Sequence, residues 1–261
     1  MNKVGVEAGE FGEILQVIGV AHAFRTSLAV RRHLTRDTAG HHSSQHGDFS
    51  YFFKGDARSL VGHGRAVRLR TDPAAGGLAR HWPEPELAVL LGERHEVLAV
   101  TLANDLTAVS LEVRGRTEQS DGTYLGKAWR GSGSLGPRFL TPEEVGDLSD
   151  LTVGLRVSRG GRVVYDRAYS TSRSVYPPAA IPGMIVACRR GYGDRPPPSK
   201  RIAVGDDDFL RPGTVLMLGT GLVTEGRYYC EPGDVLSVYS PRIGTLTNVV
   251  AAETASAVAP G

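Results

Sequence analysis

The sequence predicts a strand-rich α+β protein, and three observations predict it. Short Val- and Leu-rich runs recur along the chain. Most of them end in Gly, Pro or Asp, the residues that close strands and open turns. With 33 Gly and 15 Pro among 261 residues, few windows remain long enough for a helix.

In chain order, strands are expected at 17–23, 50–53, 67–70, 87–91, 97–103, 151–157, 163–167, 215–218, 235–239 and 242–246. Arg159-Gly160-Gly161-Arg162 joins two of them as a tight hairpin. Residues 27–34 read as a helix capped by Thr26 or Ser27, and 107–113 as a turn or two of helix. Pro177, Pro178 and Pro182 break the first half of 173–190, which leaves 183–190 as the helical part. Residues 35–48, holding His41, His42 and His46, read as a polar loop. So do residues 191–208, which end on Asp206-Asp207-Asp208. Loops of this length often cover active sites.

A hydrophobic content of 41% and a charged content of 22% fit a soluble globular protein. The net charge of +2 is too mild to argue for a nucleic-acid partner. Arg65, Arg68 and Arg70 interleave with apolar residues, as on the polar face of a strand, with no aromatic stacking surface. No apolar stretch is long enough to span a bilayer, and residues 1–13 lack the apolar segment of a signal peptide. The reading is therefore cytoplasmic, with no membrane partner. Cys188 and Cys230 make no disulfide framework and have no metal-like spacing.

The densest chemistry lies in Trp82-Pro83-Glu84-Pro85-Glu86-Leu87, followed by Ala103-Asn104-Asp105. On an extended strand, side chains at i and i+2 share a face, so Glu84 and Glu86 aim at one point. The second strand delivers Asp105 at its end. Three convergent carboxylates raise one another's pKa and cost stability, a conflict that a divalent cation removes. Oxygen ligands without Cys or His suit Mg²⁺, Mn²⁺ or Ca²⁺. A Glu-x-Glu pair alone is commonly a solvated strand edge, and Pro85 fits an edge.

Gly131-Ser132-Gly133-Ser134-Leu135-Gly136 matches the dinucleotide-binding pattern in letters only. No clear strand precedes it and Pro137 follows it, so the glycines serve a tight turn or a close backbone approach.

With these residues in view, the chain resembles the fumarylacetoacetate hydrolase superfamily from about residue 52 to 250. Phe52-Phe53-Lys54 and Leu60-Val61-Gly62-His63-Gly64 resemble the family's opening segment. Pro83-Glu84-Pro85-Glu86 resembles its metal-binding strand, and Asn104-Asp105-Leu106-Thr107 its third-carboxylate motif. Gly219-Thr220-Gly221, Pro232-Gly233-Asp234-Val235 and the run from Ile243 to Asn248 resemble its C-terminal signature. The Pro-Glu-Pro-Glu run, Lys127 with the following Gly131-Ser132 and Leu135-Gly136-Pro137, and Ser170-Thr171-Ser172 are most similar to the 2-keto-3-deoxy sugar-acid (arabinonate) dehydratase branch.

The resemblance implies a mixed β-sandwich roll with a small N-terminal domain, divided here as 1–65 and 66–261. It also implies Mg²⁺ (or Mn²⁺ or Ca²⁺) on Glu84, Glu86 and Asp105, and a homodimer. A 2-keto acid can chelate such an ion, which then stabilises the enolate left when a C3 proton departs. Lys127 becomes the electrophilic partner and Glu112 the base. Thr220, Gly219, Gly221, Ser132 and Lys54 become the substrate-binding residues.

The expected function is a metal-dependent lyase acting on a 2-keto acid. A C–C hydrolase of a β-diketo acid, a specialised dehydratase or cyclase, and a non-catalytic protein on the same fold stay open. Val109 and Ser110 stand where the family usually carries an Arg-Asp pair, and no clear copy of the hydrolytic His/Glu dyad is present.

Overall fold

A computed structural model of the chain describes residues 8–21, 23–26, 50–117, 122–191, 210–224 and 228–253. The expected helix at 27–34, His41, His42, His46 and the Asp206-Asp207-Asp208 run lie outside the described residues.

The strands, in order, are β1 (Gln16–Ala21), β2 (Ser50–Gly55), β3 (Ala66–Leu69), β4 (Thr71–Asp72), β5 (Gly77–Leu78), β6 (His81–Trp82), β7 (Pro85–Leu91), β8 (Val97–Asp105), β9 (Thr107–Ala108), β10 (Gly133–Leu140), β11 (Thr152–Arg159), β12 (Arg162–Ser170), β13 (Thr214–Met217), β14 (Val235–Ser240) and β15 (Gly244–Ala252). Six of them form a mixed sheet in the order β10-β8-β7-β13-β1-β2. Five form a second sheet in the order β12-β11-β14-β15-β3. β1 and β2, which precede residue 65, join later strands in the six-stranded sheet, where β1 pairs with β13 in parallel; in the five-stranded sheet β3 pairs with β15 in parallel.

The two sheets pack face to face through Leu87 and Val89 of β7, Val100 and Leu102 of β8, Val153, Leu155 and Val157 of β11, and Leu236 and Val238 of β14. The other face of the six-stranded sheet is buried too, through Ala88, Leu90, Ala99, Ala103, Val215 and Met217. That double burial is why β7 reads as an unbroken apolar run and not as an alternation. The hairpin at Gly160-Gly161 forms as expected. Both glycines take positive φ (55° and 78°), as a two-residue turn between right-twisted strands requires.

Three elements differ from the sequence reading. Pro85 is not on an edge: it is the first residue of a strand flanked on both sides, where its missing N–H costs least. The segment read as a glycine turn or a close backbone approach is strand β10, which pairs Gly133 with Asp105 and Ser134 with Asn104; the close approach holds at Gly133, where a Cβ would lie 2.7 Å from the Asn104 carbonyl. The last strand starts at Gly244, after a turn at Arg242 and Ile243, and runs to Ala252. The late helix, Ile181–Gly191, takes Pro182 into its first turn, where no N–H is needed.

Candidate active site and metal centre

The carboxylates converge. Glu84, Glu86 and Asp105 each offer an oxygen within 4.8 Å of the others, and all three are buried. Glu86 follows Pro85 at the start of β7, and Asp105 closes β8. The β7–β8 pairing sets Pro85 opposite Asn104 and Glu86 opposite Ala103. The Asp105 N–H donates to the Glu84 carbonyl at 2.9 Å, and the Glu84 N–H to Asn104 Oδ1 at 3.2 Å. Backbone pairing therefore fixes the separation of the three side chains. The solvated-edge reading of Glu84 and Glu86 does not hold.

Two lysines enter the cluster. Lys127, at the end of the helix Gly122–Lys127, donates to Glu84 Oε2 (2.8 Å), Asp105 Oδ2 (2.7 Å) and Thr107 Oγ1 (2.5 Å). Lys54, near the end of β2, lies 2.6 Å from Asp105 Oδ1. It also donates to the carbonyls of Leu106 (3.1 Å) and Lys127 (2.6 Å). Neither lysine is exposed. The rings of Phe52 and Trp129 lie 5.4 Å and 5.3 Å from the ammonium groups of Lys127 and Lys54.

Burial opposes charge on Asp105, but Lys127 and then Lys54 outweigh it and hold the carboxyl below its ordinary value. Glu86 has no such ammonium contact among the described residues. Burial first, then Asp105 and Glu84, push its carboxyl well above the ordinary range. Burial also pulls the Lys54 ammonium below its usual value.

Of the substrate-binding candidates, Lys54 and Gly219 contact the carboxylates. The Gly219 N–H donates to Glu86 Oε2 at 2.8 Å, which ties the Gly219–Gly221 loop to the carboxylates. Thr220 is buried and its hydroxyl bonds within the loop, to Leu222. The Ser132 hydroxyl is buried and has no hydrogen-bond partner among the described residues. Glu112 is buried in the helix Val109–Thr117, packed where a Cβ on Gly126 would sit, one residue before Lys127. Ser110, at a position of the usual Arg-Asp pair, accepts the Arg80 N–H at 3.2 Å.

Two residues near the cluster were not singled out from sequence. Thr107 Oγ1 donates to Glu84 Oε1 at 3.0 Å while accepting from Lys127. The Tyr169 hydroxyl donates to the Pro85 carbonyl at 3.0 Å, between the two glutamates. Thr107 lies inside the Asn-Asp-Leu-Thr motif and was findable there. Tyr169 has no comparable signal, because a tyrosine at the end of a strand is common.

The donor set fits a hard divalent cation: oxygen only and buried, with one carboxyl that has no ammonium contact among the described residues. Glu84, Glu86 and Asp105 are the residues that would hold it.

The family model described as fumarylacetoacetate hydrolase, C-terminal, matches residues 20–251. A probable 2-keto-3-deoxyxylonate dehydratase of Haloferax volcanii is 30% identical over 205 residues, 76% of this chain and 59% of that protein. The 2-dehydro-3-deoxy-D-arabinonate dehydratase of Saccharolobus solfataricus is 29% identical over 203 residues, 76% of this chain and 57% of that protein. The chain thus spans less than two thirds of the length of either relative. The solved 2-keto-3-deoxy-D-arabinonate dehydratase complexed with magnesium and 2,5-dioxopentanoate superposes with a TM-score of 0.66 at 24% identity, over 92% of this chain and 74% of that one. A fumarylpyruvate hydrolase from Pseudomonas aeruginosa with Mn²⁺ and pyruvate gives a TM-score of 0.64 at 16% identity, over 97% and 98% of the two chains. At these identities the two solved structures establish the fold.

Proposed function

Because the chain belongs to the fumarylacetoacetate hydrolase family, we propose that it is a Mg²⁺-dependent hydro-lyase that removes water from a 2-keto-3-deoxy acid. The observation that carries this is the buried Glu84, Glu86 and Asp105 set with Lys127 on two of its members. The sequence relatives, both dehydratases of 2-keto-3-deoxy sugar acids, support the choice of reaction.

A bound divalent cation supplies positive charge at the substrate's carboxylate and keto oxygen. The chain's own residues do the rest. The Gly219–Gly221 loop and Thr220 hold the carboxylate end. Ser132 offers a free hydroxyl to the body of the substrate. Glu112 takes the C3 proton, and negative charge builds on the keto oxygen. Lys127, whose ammonium is already buried among the carboxylates, lies where it can neutralise that charge without reorganising water. The C4 hydroxyl then departs as water with the proton that Glu112 took from C3, so one C–H and one C–O bond break, a C3–C4 double bond forms and Glu112 is returned to its carboxylate.

The test is purified protein with Mg²⁺ and a panel of 2-keto-3-deoxy sugar acids, read by mass loss of one water. Turnover that disappears in Lys127→Ala and in Glu112→Gln, with melting curves retained, supports the assignment. Release of pyruvate or another cleaved fragment instead would make the chain a C–C hydrolase. No turnover on any substrate with the ion bound would favour a non-catalytic role.

A further inference from the structure

We infer that Tyr169 is a positioning residue: its hydroxyl anchors it to Pro85, between Glu84 and Glu86, its ring packs against the Gly219–Gly221 loop, and it so sets affinity for the carboxylate of the 2-keto acid. The inference rests on the function proposed above, and four observations carry it. The Tyr169 hydroxyl donates to the carbonyl of Pro85, the residue between the two glutamates. The Tyr169 ring fills the space beside Gly221 so closely that a Cβ there would lie 2.5 Å from Cδ2 of the ring. Phe24 braces the ring edge-on, with centroids 5.1 Å apart, and also lies 3.0 Å from that Cβ position. Across the loop, Gly219 donates its N–H to Glu86.

One side chain therefore touches the loop at one end and the carboxylate strand at the other. The phenol is buried. Burial, the largest cause, keeps it protonated. The hydroxyl thus has its proton committed to Pro85, while the ring lies against Gly221 of the loop. Thr26 adds a second clamp, donating to the Gly221 carbonyl at 3.1 Å. None of these groups contributes a carboxylate to the candidate ion site. Their effect falls on where the loop amides point, which is the term that decides how well an anionic end of a substrate is met.

The experiment compares wild type with Tyr169→Phe, which removes one oxygen and keeps the ring. Calorimetry measures Mn²⁺ alone, then pyruvate on the Mn²⁺-loaded protein. Hydrogen exchange follows the Gly219 and Gly221 amides without any ligand. The expected result is Mn²⁺ affinity within about twofold of wild type, pyruvate affinity lowered about tenfold, and loop amides exchanging about tenfold faster, the loss of roughly one net hydrogen bond. Gly221→Ala, which keeps the hydroxyl but forces the loop off the ring, should reproduce the pyruvate loss.

Unchanged exchange in Tyr169→Phe would overturn the inference. So would a loss of Mn²⁺ affinity as large as that of pyruvate, because the tyrosine would then act on the carboxylate strand itself. If wild-type protein binds Mn²⁺ but no keto acid, the proposed function fails, and the exchange rates alone still decide whether Tyr169 holds the loop.

Discussion

Gly219 and Glu86 stand 133 residues apart in sequence and are joined by one hydrogen bond, N–H to Oε2 at 2.8 Å. The bond holds the carboxyl that has no ammonium contact among the described residues. It also links the strand that opens the site to the loop that closes it.

Replacing Glu86 with Gln keeps an oxygen for that N–H and removes the charge. Divalent-ion affinity should fall beyond the ~10–100-fold that loss of an outer-shell partner costs. Burial pushes the Glu86 carboxyl well up, so a neutral isostere should melt no lower than wild type. Calorimetry with Mn²⁺ and a thermal melt check both outcomes. Retained affinity would remove Glu86 from the ion site.

Lys127→Met leaves Glu84 and Asp105 without one of their buried ammonium partners. Stability should drop by about 3–5 kcal/mol in metal-free buffer, the usual cost of an uncompensated buried charge. Added Mg²⁺ should restore part of that loss and should stabilise the variant more than it stabilises wild type. Chemical denaturation with chelator and with Mg²⁺ measures the difference.

His81 is buried, with its Nδ1 2.7 Å from the Ala79 carbonyl and its Nε2 accepting the Arg70 N–H at 2.9 Å. Both contacts suit the neutral ring, and burial, the largest cause, lowers its pKa to about 4. Between pH 4 and 6.5 the unfolded chain binds the proton and the folded chain does not. This histidine's contribution is therefore complete above pH 6.5 and is lost as pH falls toward 4, by about 3 kcal/mol. Denaturation midpoints at pH 5 and pH 7 should differ more in wild type than in His81→Leu.

Gly133 faces Asp105 across β10 and β8. A Cβ there would come 2.7 Å from the Asn104 carbonyl and 3.1 Å from Cε of Lys54. Gly133→Ala should cost about 1–3 kcal/mol through overpacking. It should also weaken Mn²⁺ binding, because the nearest yielding group is the lysine that contacts Asp105. A normal melt with normal ion affinity would show that Lys54 shifts without consequence.

Sequence reasoning reached the carboxylates because strand geometry is local: i and i+2 share a face wherever the strand lies. It reached most of the sheet for the same reason. It missed β10 because Gly131, Gly133 and Gly136 erase the apolar signature there. Gly133 is present for the neighbouring lysine and carbonyl, not for strand propensity. It displaced β15 because Thr245, Thr247 and Asn248 disguise an alternation in which Leu246, Asn248 and Val250 turn inward. Lys54 was placed near the site by resemblance alone. Its actual partners, Asp105 and the carbonyls of Leu106 and Lys127, come from segments that only the closed fold assembles. Tyr169 belongs to the same class: its meaning depends on Pro85 and Gly221, neither near it in the chain.

The lysine pair has a consequence for how such a protein matures. Many metal sites assemble only when the ion arrives, so that folding waits on supply. Here the acidic cluster brings its own cations, each covalently part of the chain. The polypeptide can reach its final shape in an ion-poor compartment and acquire the ion afterwards. On the proposed function, chelation should then silence it reversibly, and scarcity of the metal should leave a reservoir of folded, dormant molecules rather than debris for proteolysis.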